Sequence, residues 1–185
     1  KTFSEKFSDP ADYIYEAYKE LSETDAKNFL EYRKNWKASL NLQEFDFPLY
    51  LMTEQTFSCN FTCPQCILGN KEEQKKYETP ERLLPLSLFH KIIDEGSKYG
   101  CRSLSVHYID EPLLVRDLPE RIAYARKKGF LDIHLVTNAQ LLTEKKSREL
   151  IESGVTRVMV SIDANTKETF EKLRPGGTFE KVKQN

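Results

Sequence analysis

The sequence has no apolar run approaching the roughly 20 residues needed to cross a bilayer, so it offers no membrane span. It also lacks a charge excess. Its 28 Lys and Arg stand against 29 Asp and Glu, and a net charge of −1 gives no field for drawing in nucleic acid or anionic lipid. Lys1 to Pro10 is polar and lacks the apolar core of a secretory signal. Cysteine is scarce, and its four copies are not spread as a secreted disulfide scaffold would spread them. Cys59, Cys63 and Cys66 are crowded together while Cys101 is distant. That crowding points to a metal site in a reducing compartment, and a cytoplasmic location is expected.

What is present suits a globular domain: 185 residues, 39% hydrophobic and 31% charged. The chain opens at Lys1 and stops at Asn185 within a charged stretch. It reads as a segment of something longer.

Two divisions are expected. Residues 1–46 read as an N-terminal helical extension, with Ile14, Tyr18 and Leu21 on one stripe and Phe29, Tyr32, Trp36 and Leu40 on a second, separated by a cap at Ser22 or Thr24. Residues 47–185 read as a repeating strand–loop–helix unit. Strands are predicted over 49–57, 102–108, 132–136 and 157–163, and Lys71 to Arg82 as a charged loop or short helix. Helices are predicted from Leu86 to about Gly100, from an Asp117 cap to Gly129, and from Thr143 to Gly154. A last helix is predicted after an Asn165/Glu168 capping box, burying Phe170 and Leu173. The fold class is therefore α/β, a parallel sheet with covering helices. Sites in such folds lie at the C-terminal ends of the strands, near Phe57, Tyr108, Thr137 and Asp163.

Three thiolates on one loop suit three corners of an iron–sulfur cube and leave the fourth iron without a protein ligand. A structural zinc site wants four ligands, and Cys101 or His107 would have to supply the last. Spacing and position favour the cluster, and Cys101 reads as a small core residue. Asn138 and Asp163 also fit plain turn or capping roles, Arg174 a surface role and Glu111 a chain turn before Pro112.

Cys-x3-Cys-x2-Cys after a first strand resembles the radical S-adenosylmethionine superfamily. His107 to Leu114 is similar to its Gly-Gly-Glu-Pro segment, and Val136 to Leu142 to its Thr-Asn-Gly segment. Val160 to Asp163, followed by Leu173 to Glu180, resembles its fourth strand and the following arginine, closest to the branch with a C-terminal SPASM or twitch domain. The resemblance spans Phe47 to Val182. It implies a partial (β/α)6 barrel with four of six units, a [4Fe–4S] cluster on Cys59, Cys63 and Cys66, and S-adenosylmethionine held by Tyr108, Asp110, Glu111, Thr137, Asn138, Ser161, Asp163 and Arg174. Glu111 would accept from the methionyl amine, Ser161 and Asp163 would meet the ribose, and Arg174 would pair with the carboxylate. It also implies reductive cleavage of the cofactor, a small-molecule or peptide substrate, and a reductase, flavodoxin or ferredoxin as electron donor. An electron-transfer protein and a metal-stabilised scaffold remain as other readings. Ile109 and Asp110 stand where the family has two glycines, Ala139 stands for another, and Gln65 stands where an aromatic is common.

Overall fold

A computed structural model describes residues 10–76 and 82–185. The polar N-terminal stretch 1–9 and the later part of the expected charged segment, 77–81, lie outside the described residues.

Both predicted N-terminal helices form, as α1 (Pro10–Leu21) and α2 (Glu23–Ser39). Ser22 is the cap, its Oγ accepting from Asp25 N at 3.2 Å. Ile14, Tyr18, Ala26, Phe29 and Tyr32 pack together against Leu131. Leu21 and Leu40, placed on the same stripes by spacing, are exposed. Leu21 is the last residue of α1 and Leu40 is the C-cap of α2.

The sheet is parallel, in the order β1 (Tyr50–Met52), β2 (Ser103–Ser105), β3 (Asp132–Thr137) and β4 (Arg157–Val160). Leu51 pairs with Leu104, Leu104 with Ile133, and Leu135 with Val158. Three of the four strands, β1, β2 and β4, are shorter than predicted, while β3 runs one residue longer. After Thr53 N bonds Ser105 O at 2.9 Å, the backbone N–H groups of Gln55 and Thr56 turn to the Asp110 carboxylate instead. Beyond them the chain bonds the Arg82–Leu84 segment. Likewise Ser161 N takes Thr137 O, and β4 then ends.

Further helices are α3 (Lys71–Lys76), α4 (Leu86–Lys98), α5 (Leu118–Lys127), α6 (Glu144–Ser153), α7 (Lys167–Leu173) and α8 (Phe179–Gln184). Thr143 caps α6 and Gly154 closes it in the left-handed region, as predicted. The α7 cap falls one residue later than expected, on Thr166, because its hydroxyl reaches Thr169 N at 3.4 Å. Asp117 precedes α5, but its carboxylate goes to Arg121 rather than to the helix N–H groups.

The pleat gives the sheet two different faces. One carries Leu104, Val106, Ile133 and Leu135, packed with Phe89 and Ile93 of α4, Ile122 of α5 and Leu150 of α6. The other carries polar side chains: Ser103, Ser105, His107, Asp132, His134 and Arg157. On that face His134 stacks on Tyr50 at 5.7 Å and meets His107 edge-on at 5.8 Å. Burial, with Arg157 close by, pushes the His134 imidazole down to about 4.

The helical extension fastens to the N-terminal end of this sheet through hydroxyls. Tyr18 Oη donates to Leu131 O at 2.6 Å, and Tyr13 Oη to Thr156 O at 3.1 Å. Tyr32 Oη donates to Asp132 Oδ2 at 3.2 Å. Asp132 is 3% exposed and also holds Arg157 through two bonds of 2.9 Å. Asp132→Ala leaves the guanidinium and the tyrosine hydroxyl without their acceptor. It is expected to lower the urea unfolding free energy by about 3 kcal/mol, while Tyr32→Phe, which removes one donor, is expected to cost about 1 kcal/mol.

Candidate active site

Loops from all four strands converge on one pocket of about 200 Å³ at the C-terminal edge of the sheet. The loop after β1 brings Cys59, Cys63 and Cys66, and the loop after β2 brings Tyr108, Asp110 and Glu111. Thr137 and Asn138 come from the end of β3, and Ser161 and Arg174 from beyond β4. Every predicted site residue except Asp163 is part of this lining.

The cysteine loop is built by local bonds. Cys66 N reaches Cys63 O at 3.0 Å, and Gly69 N reaches Cys66 O at 2.9 Å, which winds Ile67–Gly69 into a short 3-10 turn. Gly69 is required there, since a Cβ on it would stand 2.0 Å from Cys63 O. From outside, the stretch after α7 presses on the loop. Pro175 O accepts from Thr62 N at 2.8 Å, and Gly176, at φ +95°, lies against Asn60 O. Beneath sits a second small core in which Phe61, Cys63, Ala139, Phe170, Phe179 and Val182 pack together.

Burial pushes the thiols of Cys59 and Cys63 up. Opposing this, the Phe61 N–H bonds Cys59 Sγ at 3.4 Å, and the Arg174 guanidinium favours the Cys63 thiolate. A single zinc ion with sulfur at about 2.3 Å would draw its ligand sulfurs close together. Among the described residues no three His, Cys, Asp or Glu side chains are gathered in that way. Cys101 is buried at the opposite end of β2, its thiol against Ser103 O at 3.6 Å, as its core reading predicts. His107 lines the pocket, with Nδ1 accepting from Val136 N at 3.1 Å.

The two acidic residues divide their work. Asp110 turns its carboxylate to the backbone: Oδ2 accepts from Gln55 N and Thr56 N at 3.1 and 3.2 Å, and Oδ1 from Tyr108 N at 2.9 Å. It straps the β1 end to the β2 end. Neither Ile109 nor Asp110 adopts a left-handed backbone, so the loss of two glycines costs no strain here. Ala139 does, at φ 60°. Glu111, 2% exposed, accepts at Oε1 from Thr137 Oγ1 (2.7 Å) and Leu113 N (3.1 Å), and at Oε2 from Asn138 N (2.8 Å). A carboxylate has about four lone-pair sites, so about one is left for a ligand. The Thr137 hydroxyl, committed to Glu111 and to Ala139 N, has no donor left for one.

Arg174 pairs with Asp163 at 2.7 Å, so the two form a rim ion pair. Ser161 lines the pocket while Asp163 stands outside, although β-strand alternation predicts a shared face; β4 ends before either is reached. Sequence reasoning missed Asn60, Phe61 and Gln140. Asn60 meets the Asn138 amide at 2.8 Å, and Gln140 accepts from Thr178 N at 2.9 Å. No local pattern marks them, because their partners are tens of residues away.

A parallel α/β sheet with a polar site gathered around three cysteines at its strand ends is the class that fold and site together define. The chain belongs to the radical SAM superfamily, whose family model matches residues 53–185. Enzymes of that superfamily use a [4Fe–4S] cluster and S-adenosylmethionine. Among its relatives, a probable GTP 3',8-cyclase of Methanococcus maripaludis is 33% identical over 129 residues, covering 70% of this chain and 41% of that protein. The tungsten-containing aldehyde ferredoxin oxidoreductase cofactor-modifying protein of Pyrococcus furiosus is 31% identical over 142 residues, covering 73% of this chain and 37% of that one. The chain thus spans about two fifths of the length of these relatives. A crystal structure of BtrN in complex with AdoMet and 2-DOIA shares the fold, with a TM-score of 0.56 at 22% identity over 70% of this chain and 52% of that one. Among the described residues no helix is long and apolar enough to cross a membrane.

Two outcomes follow from this geometry. Gly69→Ala is expected to displace Cys63 and open the turn, read as faster amide exchange at Cys66 and Gly69 than in the parent. Asp110 carries the second. Burial outweighs its three N–H donors and pushes its carboxyl up to about 7, above the ordinary 3.8. The folded chain therefore keeps a proton that the unfolded chain releases. The stability this lends is full below about pH 4 and is lost as pH rises through about 7. Unfolding in urea at about pH 5 and about pH 8 is expected to show a smaller difference for Asp110→Asn than for the parent.

Proposed function

We propose that the chain is the first part of the catalytic core of a radical S-adenosylmethionine enzyme, with residues 1–46 as a helical extension and 47–185 as the core. The observation that carries this is the shared pocket: three cysteine side chains, the buried Glu111 carboxylate with a free lone-pair site, the Ser161 hydroxyl and the Arg174 guanidinium line the same space. An electron carrier or a zinc scaffold has no use for that second set of groups.

Cys59, Cys63 and Cys66 would ligate three irons of a [4Fe–4S] cluster, and the donor set fits. It consists of thiols alone on one compact loop, and two of them have N–H or guanidinium groups that favour the thiolate. Glu111, with the carbonyls of Tyr108 to Asp110 beside it, would receive the methionyl ammonium. Ser161 would meet the ribose, with Asp163 at its rim, and Arg174 the methionyl carboxylate, exchanging its present partner Asp163 for it. Thr137 and Asn138 act on the bound cofactor through the groups they orient. Together the bound cluster and cofactor would supply reductive carbon–sulfur cleavage and radical abstraction of a hydrogen atom from substrate. The protein's share is to orient the sulfonium and exclude water.

The substrate would be a small molecule or peptide. Relatives named for acting on GTP support the small-molecule side. The electron would come from a reductase, flavodoxin or ferredoxin in the cytoplasm. The segments Val160–Asp163 and Leu173–Glu180 support the branch with a SPASM or twitch domain.

The test is anaerobic reconstitution of the full-length protein. About four irons per chain are expected, with release of 5′-deoxyadenosine when dithionite and S-adenosylmethionine are added. Each of Cys59→Ala, Cys63→Ala and Cys66→Ala is expected to abolish both. Glu111→Gln is expected to keep the iron and weaken S-adenosylmethionine binding about tenfold or more. Iron without the nucleoside product would mark an electron carrier, and a colourless zinc protein a scaffold.

A further inference from the structure

Asn138 is 5% exposed at the end of β3, and its side chain spends every hydrogen-bonding atom in a way that fixes its orientation. Its Oδ1 accepts from Gln140 N at 3.0 Å. That backbone donor cannot face an amide nitrogen, so Nδ2 must point the other way, and the usual ambiguity of an asparagine flip is removed. The two Nδ2 hydrogens then have two acceptors, Asn60 Oδ1 at 2.8 Å and Cys59 Sγ at 3.8 Å. From the backbone side, Asn138 N is tied to Glu111 Oε2 at 2.8 Å, so the amide is held at both ends before any cluster binds.

We infer that Asn138 sets the reduction potential of the cluster by donating an N–H···S hydrogen bond to the Cys59 thiolate, a role that rests on Cys59 being an iron ligand. Donors to the sulfurs of a cluster stabilise its reduced, more negative form and raise the potential. Among the described residues Cys59 has two such donors, the Phe61 backbone N–H and the Asn138 amide, and the second belongs to a side chain, so a substitution removes it with little change to the backbone. Asn138 is a positioning and tuning residue. It reaches the iron only through the sulfur.

The experiment is an EPR-monitored potentiometric titration of the reconstituted full-length protein without substrate. In Asn138→Ala the ratio of reduced to oxidised cluster at a fixed poise is expected to fall about tenfold, equivalent to about 59 mV toward negative potential. Asn138→Asp keeps the volume while replacing the donor with an acceptor, and its midpoint is expected to fall at least as far. Asn60→Ala removes the neighbouring contact and leaves the donor to sulfur, so its midpoint is expected to stay with the parent. An unmoved midpoint in both Asn138 variants overturns the inference. An equal fall in Asn60→Ala also overturns it, since loop position would then be the cause. A parent protein that takes up no cluster sinks the reading of Cys59 as a ligand, and is distinguished from either of those outcomes by its iron content.

Discussion

The site depends on the burial of one carboxylate. Glu111 leaves β2 and holds the end of β3 through the Thr137 hydroxyl and the Asn138 amide, while its own backbone N–H donates to Ser58 O just before the first cysteine. Three strand ends are thereby fixed to one residue, through a side chain almost wholly out of water and through its backbone N–H. Burial raises its pKa, and the three donors pull it back. A carboxylate satisfied in that way is rigid, because each lost bond would leave a buried charge without a partner. A ligand ammonium that takes the last lone pair therefore meets an acceptor that is already oriented. The loop after β2 is thus held in place without the glycines common there.

The sheet divides its labour along its length. At the N-terminal end, Asp132 and Arg157 form an ion pair under a tyrosine hydroxyl, and the helical extension closes over them. At the C-terminal end, the polar side chains are held by backbone N–H groups and face a pocket. Between the two ends His134 and His107 occupy the same polar face, and burial lowers the pKa of both, so this middle layer is kept neutral near pH 7. A polar interior of this kind is a poor core. The chain compensates on the other face, where Leu104, Ile133, Leu135, Phe89 and Ile122 are all fully buried.

The parts of this arrangement that the sequence made legible are those with a local cause. Alternation in Leu104/Val106 and periodicity in Phe89/Ile93 announce strand and helix within a few residues. The cysteine spacing singles out the loop after β1 in the same way, and the strand-end segments that the family resemblance marked line one pocket with it. What could not be read has a non-local cause. The ends of β1 and β2 were overestimated because Asp110 draws off backbone N–H groups of Gln55, Thr56 and Tyr108, and nothing near Gln55 signals a carboxylate 55 residues away. The inward face of β4 failed at Asp163 because the strand stops after Val160. Phe61 and Phe179 meet Phe170 in a core under the cysteine loop, a contact between residues more than 100 apart for Phe61 that no local pattern marks.

The substituted glycines bear most directly on how a site can drift in sequence and keep its geometry. A glycine pair permits close approach by leaving out side chains. Here Asp110 takes the opposite course: its side chain fills the space and then satisfies three backbone N–H groups that a glycine would have left to other partners. At Ala139 the chain has no such substitute and simply bears a left-handed alanine, which costs about 1 kcal/mol or more relative to glycine. That cost is offset by the bonds on either side, Ala139 N to the Thr137 hydroxyl and the Asn185 amide to Ala139 O at 2.8 Å. The two departures are therefore of different kinds. One replaces backbone freedom with a new hydrogen-bonded strap, and the other keeps the old backbone shape at the expense of strain. Both leave the Glu111 backbone bonded to Ser58 O and the Asn138 amide bonded to Asn60 and Cys59, so the ends of β2 and β3 stay fastened to the cysteine loop.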